Sequence, residues 1–291
     1  MSEMPDFGVP FVNSVFHPTD FSADSGFAFA HALALALRRQ TELTIMHATR
    51  DEGEEDWAKF PPVRSTLQSW GLLEPGSVRS AVFEDLKLRI RKVSVLGRNP
   101  LSAITDYLSK KPTDLIVLAT EASRSRPRWL ERSVAEEVAH HTSTMTLFVP
   151  NTSRGLVSLE SGDLRLRRVL IPVDRRPDPR GALVYASRAA RLTEGEGVEL
   201  ILLHVGEPGS MPPLMLPETP GSRWVREERS GPVVETIAGF AAASDVDLIV
   251  MATEGRHGIL DALRGSVTEQ ILRRSPCPLL AVPWGREGGG R

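Results

Sequence analysis

Apolar residues along this chain form short continuous runs that alternate with longer stretches of helical periodicity. The runs at 115–118 and 200–203 each hold four consecutive Leu, Ile or Val residues. Strands of this composition are covered on both faces, and their alternation with helices is typical of a parallel, doubly wound sheet. In the second half we predict strands at 168–173, 198–205, 223–229, 247–251 and 278–282, with helices at 181–192, 232–243 and 266–274. The first half follows the same order, with strands at 86–95 and 146–149 and a helix at 101–109.

An internal repeat relates the two halves of the chain. Residues 113–121 and 246–254 are identical at seven of nine positions, and 43–48 resembles 200–205. Residues 43–48 and 200–205 are 157 positions apart, whereas 113–121 and 246–254 are only 133 apart. The first half therefore carries 24 extra residues between these two segments. Because the matching segments keep their order, the pattern indicates a duplication with insertions rather than a short-period repeat.

The duplication predicts two domains, at 11–150 and 166–284, with a polar boundary at 151–163. The extra residues of the first half lie around 51–76, where we predict a helix at 57–70. The corresponding stretch of the second half, 206–221, holds five prolines and three glycines and is predicted to be a loop.

Composition narrows the function classes. The formal net charge is −2, which gives no electrostatic reason to expect nucleic acid or a membrane surface as a partner. Cys277 is the only cysteine, which excludes an intrachain disulfide or a cysteine zinc site and fits a cytoplasmic location. The first ten residues do not read as a signal peptide, and the apolar run 27–37 is too short to span a bilayer. We expect that run to form a buried helix.

Ligands of doubly wound sheets bind at the carboxyl ends of strands, where the winding direction reverses. Two turns of each half fall there: the turn that carries Asp20 or Asp174, and the turn after the strand with the Leu-Ile-Val run. In the second half, Gly255 and Gly265 flank the latter turn, and a helix is predicted to begin at Ser266. Glycines let a backbone approach phosphate closely, and a helix N-terminus attracts anions. These residues predict a phosphate cradle.

Three segments resemble the universal stress protein family. Pro-Thr-Asp-Phe-Ser at 18–22 resembles its first-strand turn, and Leu-Leu-His-Val at 202–205 its second-strand end. Ala-Thr-Glu-Gly at 252–255, nine residues and then Gly-Ser at 265–266 resemble its nucleotide motif, Gly-x-x-Gly, nine residues, Gly-Ser/Thr.

The resemblance implies the fold and the assembly. It implies two tandem doubly wound α/β domains, each with a five-stranded parallel sheet of the adenine nucleotide alpha hydrolase-like type. In the family the final strands pair across a dimer interface. Here 146–149 and 279–282 would pair within one chain, giving an intramolecular pseudo-dimer that is a monomer or forms a homodimer.

The resemblance also implies a site for ATP, with Mg²⁺, in the C-terminal domain alone. Asp174 would lie near the adenosine with Pro172 and Val205 against it, and Met251 and Ala252 would line the same pocket. The phosphates would be held by the backbone N–H groups of Gly255, Gly265, Ser266 and Val267. Ala252 departs from the motif, which has glycine there, so its methyl group is tolerated only with negative φ and no phosphate against its Cβ.

In the first half the motif is degenerate. Ala122 and Arg132 stand where the second half has Gly255 and Gly265, and the bulk of Arg132 is expected to block backbone approach to a phosphate. We therefore assign nucleotide binding to the second half.

Several residues have simpler explanations. Ser266 with Glu269 forms a Ser-x-x-Glu capping box, as does Ser133 with Glu136, and such a cap stabilises a helix without any ligand. Asp174 is also suited to capping a turn or the following helix. His17, Asp20 and His47 could converge as a metal site, although no ligand-spacing motif supports this.

No catalytic template occurs in the sequence: there is no P-loop, nucleophile elbow or His-Glu-x-x-His helix. We therefore expect a nucleotide-dependent stress regulator rather than an enzyme, in which the occupied loop is read by a protein partner. Two alternatives stay open. One is an interaction scaffold with a vestigial site, and the other is a slow ATPase or self-phosphorylating protein with Ser266 as acceptor.

Overall fold

The computed structural model describes residues 11–49, 58–97, 99–120, 144–193, 197–253 and 267–283. In these ranges the chain forms ten strands and seven helices. In chain order they are β1 (Ser14–Pro18), α1 (Ala23–Arg38), β2 (Glu42–Thr49), α2 (Val63–Ser69), α3 (Ala81–Glu84), β3 (Arg89–Leu96), α4 (Pro100–Lys110), β4 (Leu115–Thr120), β5 (Met145–Pro150), β6 (Arg168–Pro172), α5 (Arg180–Ala190), β7 (Glu199–Val205), β8 (Arg223–Arg229), α6 (Val233–Ala243), β9 (Leu248–Thr253), α7 (Val267–Leu272) and β10 (Leu279–Pro283).

The predicted elements of the second half are all present, with ends that differ by at most two residues from the prediction. Two elements of the first half start later than predicted. The helix predicted at 57–70 begins at Val63, because Pro61 and Pro62 precede it and proline cannot continue a helix. The strand predicted at 86–95 begins at Arg89, after Lys87 adopts a left-handed backbone with φ 56°.

One ten-stranded sheet runs through both halves in the order β3-β2-β1-β4-β5-β10-β9-β6-β7-β8. Within each half the strands are parallel and follow the doubly wound order, while β5 and β10 pair antiparallel where the halves meet. The central register sets Thr146 opposite Ala281 and Phe148 opposite Leu279. The predicted fold, two five-stranded domains joined through their last strands as a pseudo-dimer, is confirmed.

The core on one face of the sheet is continuous between the halves. A single apolar cluster includes Leu33 of α1, Leu147 of β5, Ala186 of α5 and Leu280 of β10. Residues 28–36 of α1 are all buried, as expected for the apolar run 27–37. Burial of this much apolar surface is the main stabilising contribution to folding, and here it couples the two halves.

An aspartate repeated in both halves fixes the amino end of the sheet. Asp114, just before β4, accepts a hydrogen bond from the backbone N–H of Asn13 at 2.8 Å. Asp247, just before β9, accepts from the backbone N–H groups of Arg167 at 2.7 Å and Arg168 at 2.9 Å. Asp247 also forms an ion pair with Arg154 and is buried. The repeated Asp-Leu-Ile-Val sequence therefore has a structural role at this end.

The connection between the halves, 151–167, is a small hairpin held against the first half. Its Val157 forms an antiparallel bridge with Leu164. The Trp70 indole N–H, at the end of α2, donates to the carbonyl oxygen of Leu159 at 3.0 Å. Gly162 has φ 73°, and a Cβ there would lie 2.4 Å from Cε3 of Trp70. This close approach requires glycine.

His31 of α1 ties the same connection to the core. Its Nε2 accepts a hydrogen bond from the backbone N–H of Leu156 at 2.9 Å, and its Nδ1 donates to the carbonyl oxygen of Phe27 at 2.9 Å. This arrangement requires the neutral imidazole with its proton on Nδ1. Burial lowers the pKa of His31 to about 4, which keeps the ring neutral over most of the accessible pH range.

We expect Gly162→Ala to destabilise the protein by at least about 2 kcal/mol, because the new methyl group meets the Trp70 indole and the backbone is left-handed. Gly71→Ala is the matched control: φ is 71° and a Cβ there meets nothing within 4 Å. The control should lose only about 1 kcal/mol from backbone strain. Urea unfolding measures both, and equal losses would contradict a steric role for Gly162.

We expect the free energy of unfolding to fall as the pH is lowered from about 6.5 to 4. Burial lowers the pKa of both His17 and His31 to about 4 in the folded protein. Between these pH values the two histidines therefore bind protons in the unfolded chain but stay neutral in the folded one. Each histidine contributes up to about 3 kcal/mol to this loss. Urea unfolding at several pH values should show that the free energy of unfolding of His31→Asn depends less steeply on pH than that of the wild type. An equally steep dependence would contradict the contribution assigned to His31.

Candidate functional site

The sheet opens between β6 and β9 at the point where the winding direction reverses. These strands pair only at Val169–Leu248 and Leu170–Ile249, yet β9 continues to Thr253. On its other side β6 stays paired with β7 as far as Pro172 opposite Leu203. The carboxyl ends of β6 and β9 therefore diverge. We call the opening between Pro172 and the end of β9 the second-half crevice.

Five of the residues predicted for adenosine lie at the ends of three neighbouring strands. Pro172 ends β6 and is half-buried, and Asp174 follows it and is exposed. Val205 ends β7, half-buried, and packs against the apolar cluster that contains Met251. Met251 and Ala252 are buried near the end of β9, and they belong to clusters on opposite faces of the sheet. The fold thus brings these positions to one edge, with Asp174 as the exposed polar group.

Ala252 lies within β9 and is paired with Val282 of β10. Its methyl group is buried in the apolar cluster shared by both halves. The residue that replaces the first glycine of the motif is thus extended, and its side chain contributes to the core.

The predicted phosphate cradle falls mostly outside the described residues. Gly255, Gly265 and Ser266 are not among them, nor are Ala122 and Arg132 of the first half. The proposed Ser133–Glu136 capping box also lies outside them. Val267, the first residue of α7, is 41% exposed. Two residues later, Glu269 is buried and ion-paired with Arg273.

Asp174 contacts its neighbour in the chain and does not cap the helix that follows. Its Oδ1 accepts from the backbone N–H of Arg175 at 2.7 Å. Near the start of α5 it is Asp178 that accepts from the backbone N–H of Arg180, at 3.0 Å. Of the two structural explanations for Asp174, the structure contradicts helix capping, and for a turn it shows only the contact with the adjacent residue. Its exposed carboxylate faces solvent at the rim of the crevice.

His204 links the rim of the crevice to the proline-rich loop. Its Nδ1 donates to the carbonyl oxygen of Val173 at 2.9 Å, and its Nε2 lies 2.9 Å from Oγ of Ser210. Ser210 in turn donates to the carbonyl oxygen of Glu207 at 2.5 Å. Sequence reasoning did not identify Ser210, because nothing in a proline-rich segment specifies which residue reaches a neighbouring strand.

The remainder of the loop, 206–221, packs along β8 and against the apolar cluster on one face of the sheet. Glu228 of β8 accepts from the backbone N–H groups of Gly209 at 2.7 Å and Met211 at 3.1 Å. The indole N–H of Trp224 donates to the carbonyl oxygen of Pro217 at 3.1 Å. The segment contains no helix or strand, as predicted.

The first half repeats the histidine contact but covers it with aromatic rings. His47 Nδ1 donates to the carbonyl oxygen of Thr19 at 2.8 Å, as His204 does to Val173. Phe21, which has φ 65°, stacks on His47 with ring centroids 4.0 Å apart. Phe60 meets the edge of Phe21 at 5.3 Å. The residue in the place of Phe21 in the second half is the exposed Arg175, so among the described residues this aromatic cover occurs in the first half.

A second histidine spans the divergence of β1 and β4. His17 Nδ1 donates to the carbonyl oxygen of Val117 at 3.0 Å, and its Nε2 lies 3.3 Å from Oγ of Ser25. The side chain of Asp20 accepts instead from Ser22. Within the described ranges, no group of three or more His, Cys, Asp or Glu side chains could hold a metal ion. The structure therefore gives no support to the suggested metal site.

In the part of the chain that the structure describes, every helix is too short or too polar to cross a bilayer.

The comparisons with known proteins agree with this architecture. A sequence model of the universal stress protein family matches residues 13–150 and 215–283. A universal stress protein of Synechocystis is 30% identical over 151 residues, which cover 46% of this chain and 95% of that protein.

Two solved structures resemble the chain over nearly its whole length. A universal stress protein from Archaeoglobus fulgidus has a TM-score of 0.57 at 18% identity, covering 97% of this chain and all of the other. A functionally unknown protein from Pseudomonas aeruginosa has a TM-score of 0.60 at 14% identity, covering 94% of this chain and 92% of the other. At these identities the likeness concerns the fold. With the family match across more than half of its residues, this chain belongs to the universal stress protein family.

Proposed function

We propose that the second half binds an adenine nucleotide, ATP with Mg²⁺, in the second-half crevice. The observation that carries the proposal is the early divergence of β6 and β9, which leaves an opening at the switch point of the sheet. Nucleotides bind at such openings because the loops there turn away on opposite sides and expose backbone N–H groups. The half-buried Pro172 and Val205 provide apolar surface for a base, and the exposed Asp174 provides an acceptor.

The two halves differ in what occupies this position. In the first half the imidazole of His17 bridges the diverging strands, and Phe21 covers His47. In the second half Ile171 stands in the place of His17 and Arg175 in the place of Phe21. These differences favour nucleotide binding in the second half alone, in agreement with the glycines that only its motif retains.

The proposed activity is binding, with the phosphates held by backbone N–H groups after β9 and at the start of α7. Gly255 and Gly265 would allow close approach, and Ser266 and Val267 would donate from the helix start. Such contacts need no general base or nucleophile. We therefore propose a cytoplasmic nucleotide-dependent regulator in the stress response, in which a protein partner reads the occupied loop.

Calorimetric titration of ATP with Mg²⁺ tests the proposal. We expect about one site per chain for the wild type and at least tenfold weaker binding for Asp174→Ala, which removes the acceptor. Gly265→Arg, which imitates the first half, should abolish binding, since a bulky side chain excludes the phosphates. Asp20→Ala is the matched control in the first half and should bind as the wild type does.

Each other outcome selects an alternative. No binding to any of these proteins would contradict the proposal and favour an interaction scaffold with a vestigial site. Binding that survives Gly265→Arg but is lost in Asp20→Ala would assign the nucleotide to the first half. Slow release of phosphate with label transferred to the protein, and lost in Ser266→Ala, would favour the self-phosphorylating alternative.

The regulatory step has its own test. We expect ATP to increase the hydrogen-exchange protection of amides at 252–267, because phosphate contacts would order that segment. Binding without any change in protection there would contradict a role for the segment as the element that a partner reads.

A further inference from the structure

A separate cleft lies at the opposite edge of the molecule from the second-half crevice. Its volume is about 920 Å³, and it is bounded by α2, α3 and the edge strand β3 of the first half. Pockets for small molecules usually measure about 300–1,000 Å³. We call it the β3 cleft. In the strand order six strands separate β3 from β6, so the β3 cleft and the crevice are different sites.

Four cationic side chains line the β3 cleft: Arg64, Arg79, Arg89 and Lys92. None of its lining residues is acidic, and none of the four is in an ion pair between described residues. The neighbouring Arg91 lies on the opposite face of β3 from Lys92, on the same face as Arg89, and pairs with Glu42 at 3.1 Å. Glu42 lies opposite Arg89 and partly balances its charge, whereas Arg64, Arg79 and Lys92 form no ion pair with a described carboxylate.

Lys92 is the most enclosed of these cations. It is half-buried on β3, with Nζ 5.6 Å from the ring centroid of Phe60. Burial, and secondly the positive charge of Arg79, lower the pKa of Lys92. A buried ammonium beside a guanidinium is electrostatically unfavourable, and a bound anion would relieve both effects.

Apolar groups form most of the rest of the wall, with Ser65 and Gln68 as its uncharged polar residues. Val63 of α2, Val82 of α3, Leu88 before β3 and Ile90 within β3 line the same cleft. The guanidinium of Arg89 lies 5.4 Å from the ring centroid of Phe83, which holds its charge against an apolar surface. A ligand that fits this lining carries its negative charge on one part and an apolar body on another.

Among its described residues the second half carries a loop where the first half carries α2, and the register shows which residue corresponds to Lys92. Lys92 lies opposite Ile45, and the corresponding residue Arg226 lies opposite Leu202. Arg226 is exposed, and the loop 206–221 packs along β8 through the Trp224 contact. The first half instead carries α2 in its longer connection. The β3 cleft is therefore a consequence of the 24 extra residues.

We propose that the β3 cleft binds a small phosphorylated molecule with an apolar or aromatic body. Phosphate suits several convergent cations because its charge is multiple and its oxygens accept from guanidinium and ammonium groups alike. The apolar wall selects against inorganic phosphate alone. The ligand need not be the nucleotide of the second half, since the two sites have different linings.

The test uses 1-naphthyl phosphate as the probe, with the full chain, in fluorescence-detected equilibrium dialysis. We expect saturable binding that is weakened at least fivefold by Lys92→Met, which keeps an apolar stem without the charge, and by Arg79→Gln. Arg226→Gln and Gly265→Arg are the matched controls and should bind the probe as the wild type does. 1-Naphthol and inorganic phosphate should each bind much more weakly, and added salt should weaken the binding of the probe.

Three outcomes would overturn the proposal. The first is binding of the probe that Lys92→Met and Arg79→Gln leave unchanged while both variants stay folded. The second is loss of binding in Gly265→Arg, which would place the probe in the nucleotide motif. The third concerns the run 51–56, in which five of six residues are acidic. If the probe binds only after these are changed to amides, the chain's own carboxylates, not a ligand, are the partner of the cleft.

Discussion

The antiparallel pairing of β5 with β10 is the contact on which the rest of the structure depends. It joins two parallel sheets that would each expose an edge strand, and exposed edges invite uncontrolled pairing with other chains. The pairing also aligns the two halves so that α1, α5 and the central strands bury one continuous apolar cluster. The carboxyl edges of both halves are thereby fixed in orientation.

The two halves use one scaffold in different ways. Repeated residues keep the scaffold: Asp114 and Asp247 hold the amino end, and His47 and His204 hold the backbone after the first strand of each half. Several residues that differ between the halves lie at the openings, such as His17 and Phe21 against Ile171 and Arg175. Aromatic rings cover the first half at its switch point, while its extra residues create a basic cleft at the sheet edge. Duplication thus preserved these contacts, while the residues around the two proposed sites diverged.

The fold was predictable because it follows from local and periodic signals. Continuous Leu, Ile and Val runs predict buried parallel strands, and the repeat fixes their order in both halves. The exceptions are local: Pro61 and Pro62 delay α2, and a left-handed Lys87 delays β3. The candidate site was predictable only as a place, the carboxyl ends of β6, β7 and β9. The roles of its residues, and the glycines and Ser266 of the cradle, stay predictions.

The sequence by itself determined the duplication and the alternation of strands and helices, and it predicted where a site should lie, since these depend on which residues must be buried and how often they recur. Tertiary structure alone decided which side chains meet across long separations. Phe21 reaches His47, Ser210 reaches His204, and Trp70 reaches the hairpin at Leu159. Four cations from α2, the turn after it and β3 converge on one cleft. Such contacts depend on backbone dihedrals and on how distant segments pack, and the periodic pattern of apolar residues predicts neither.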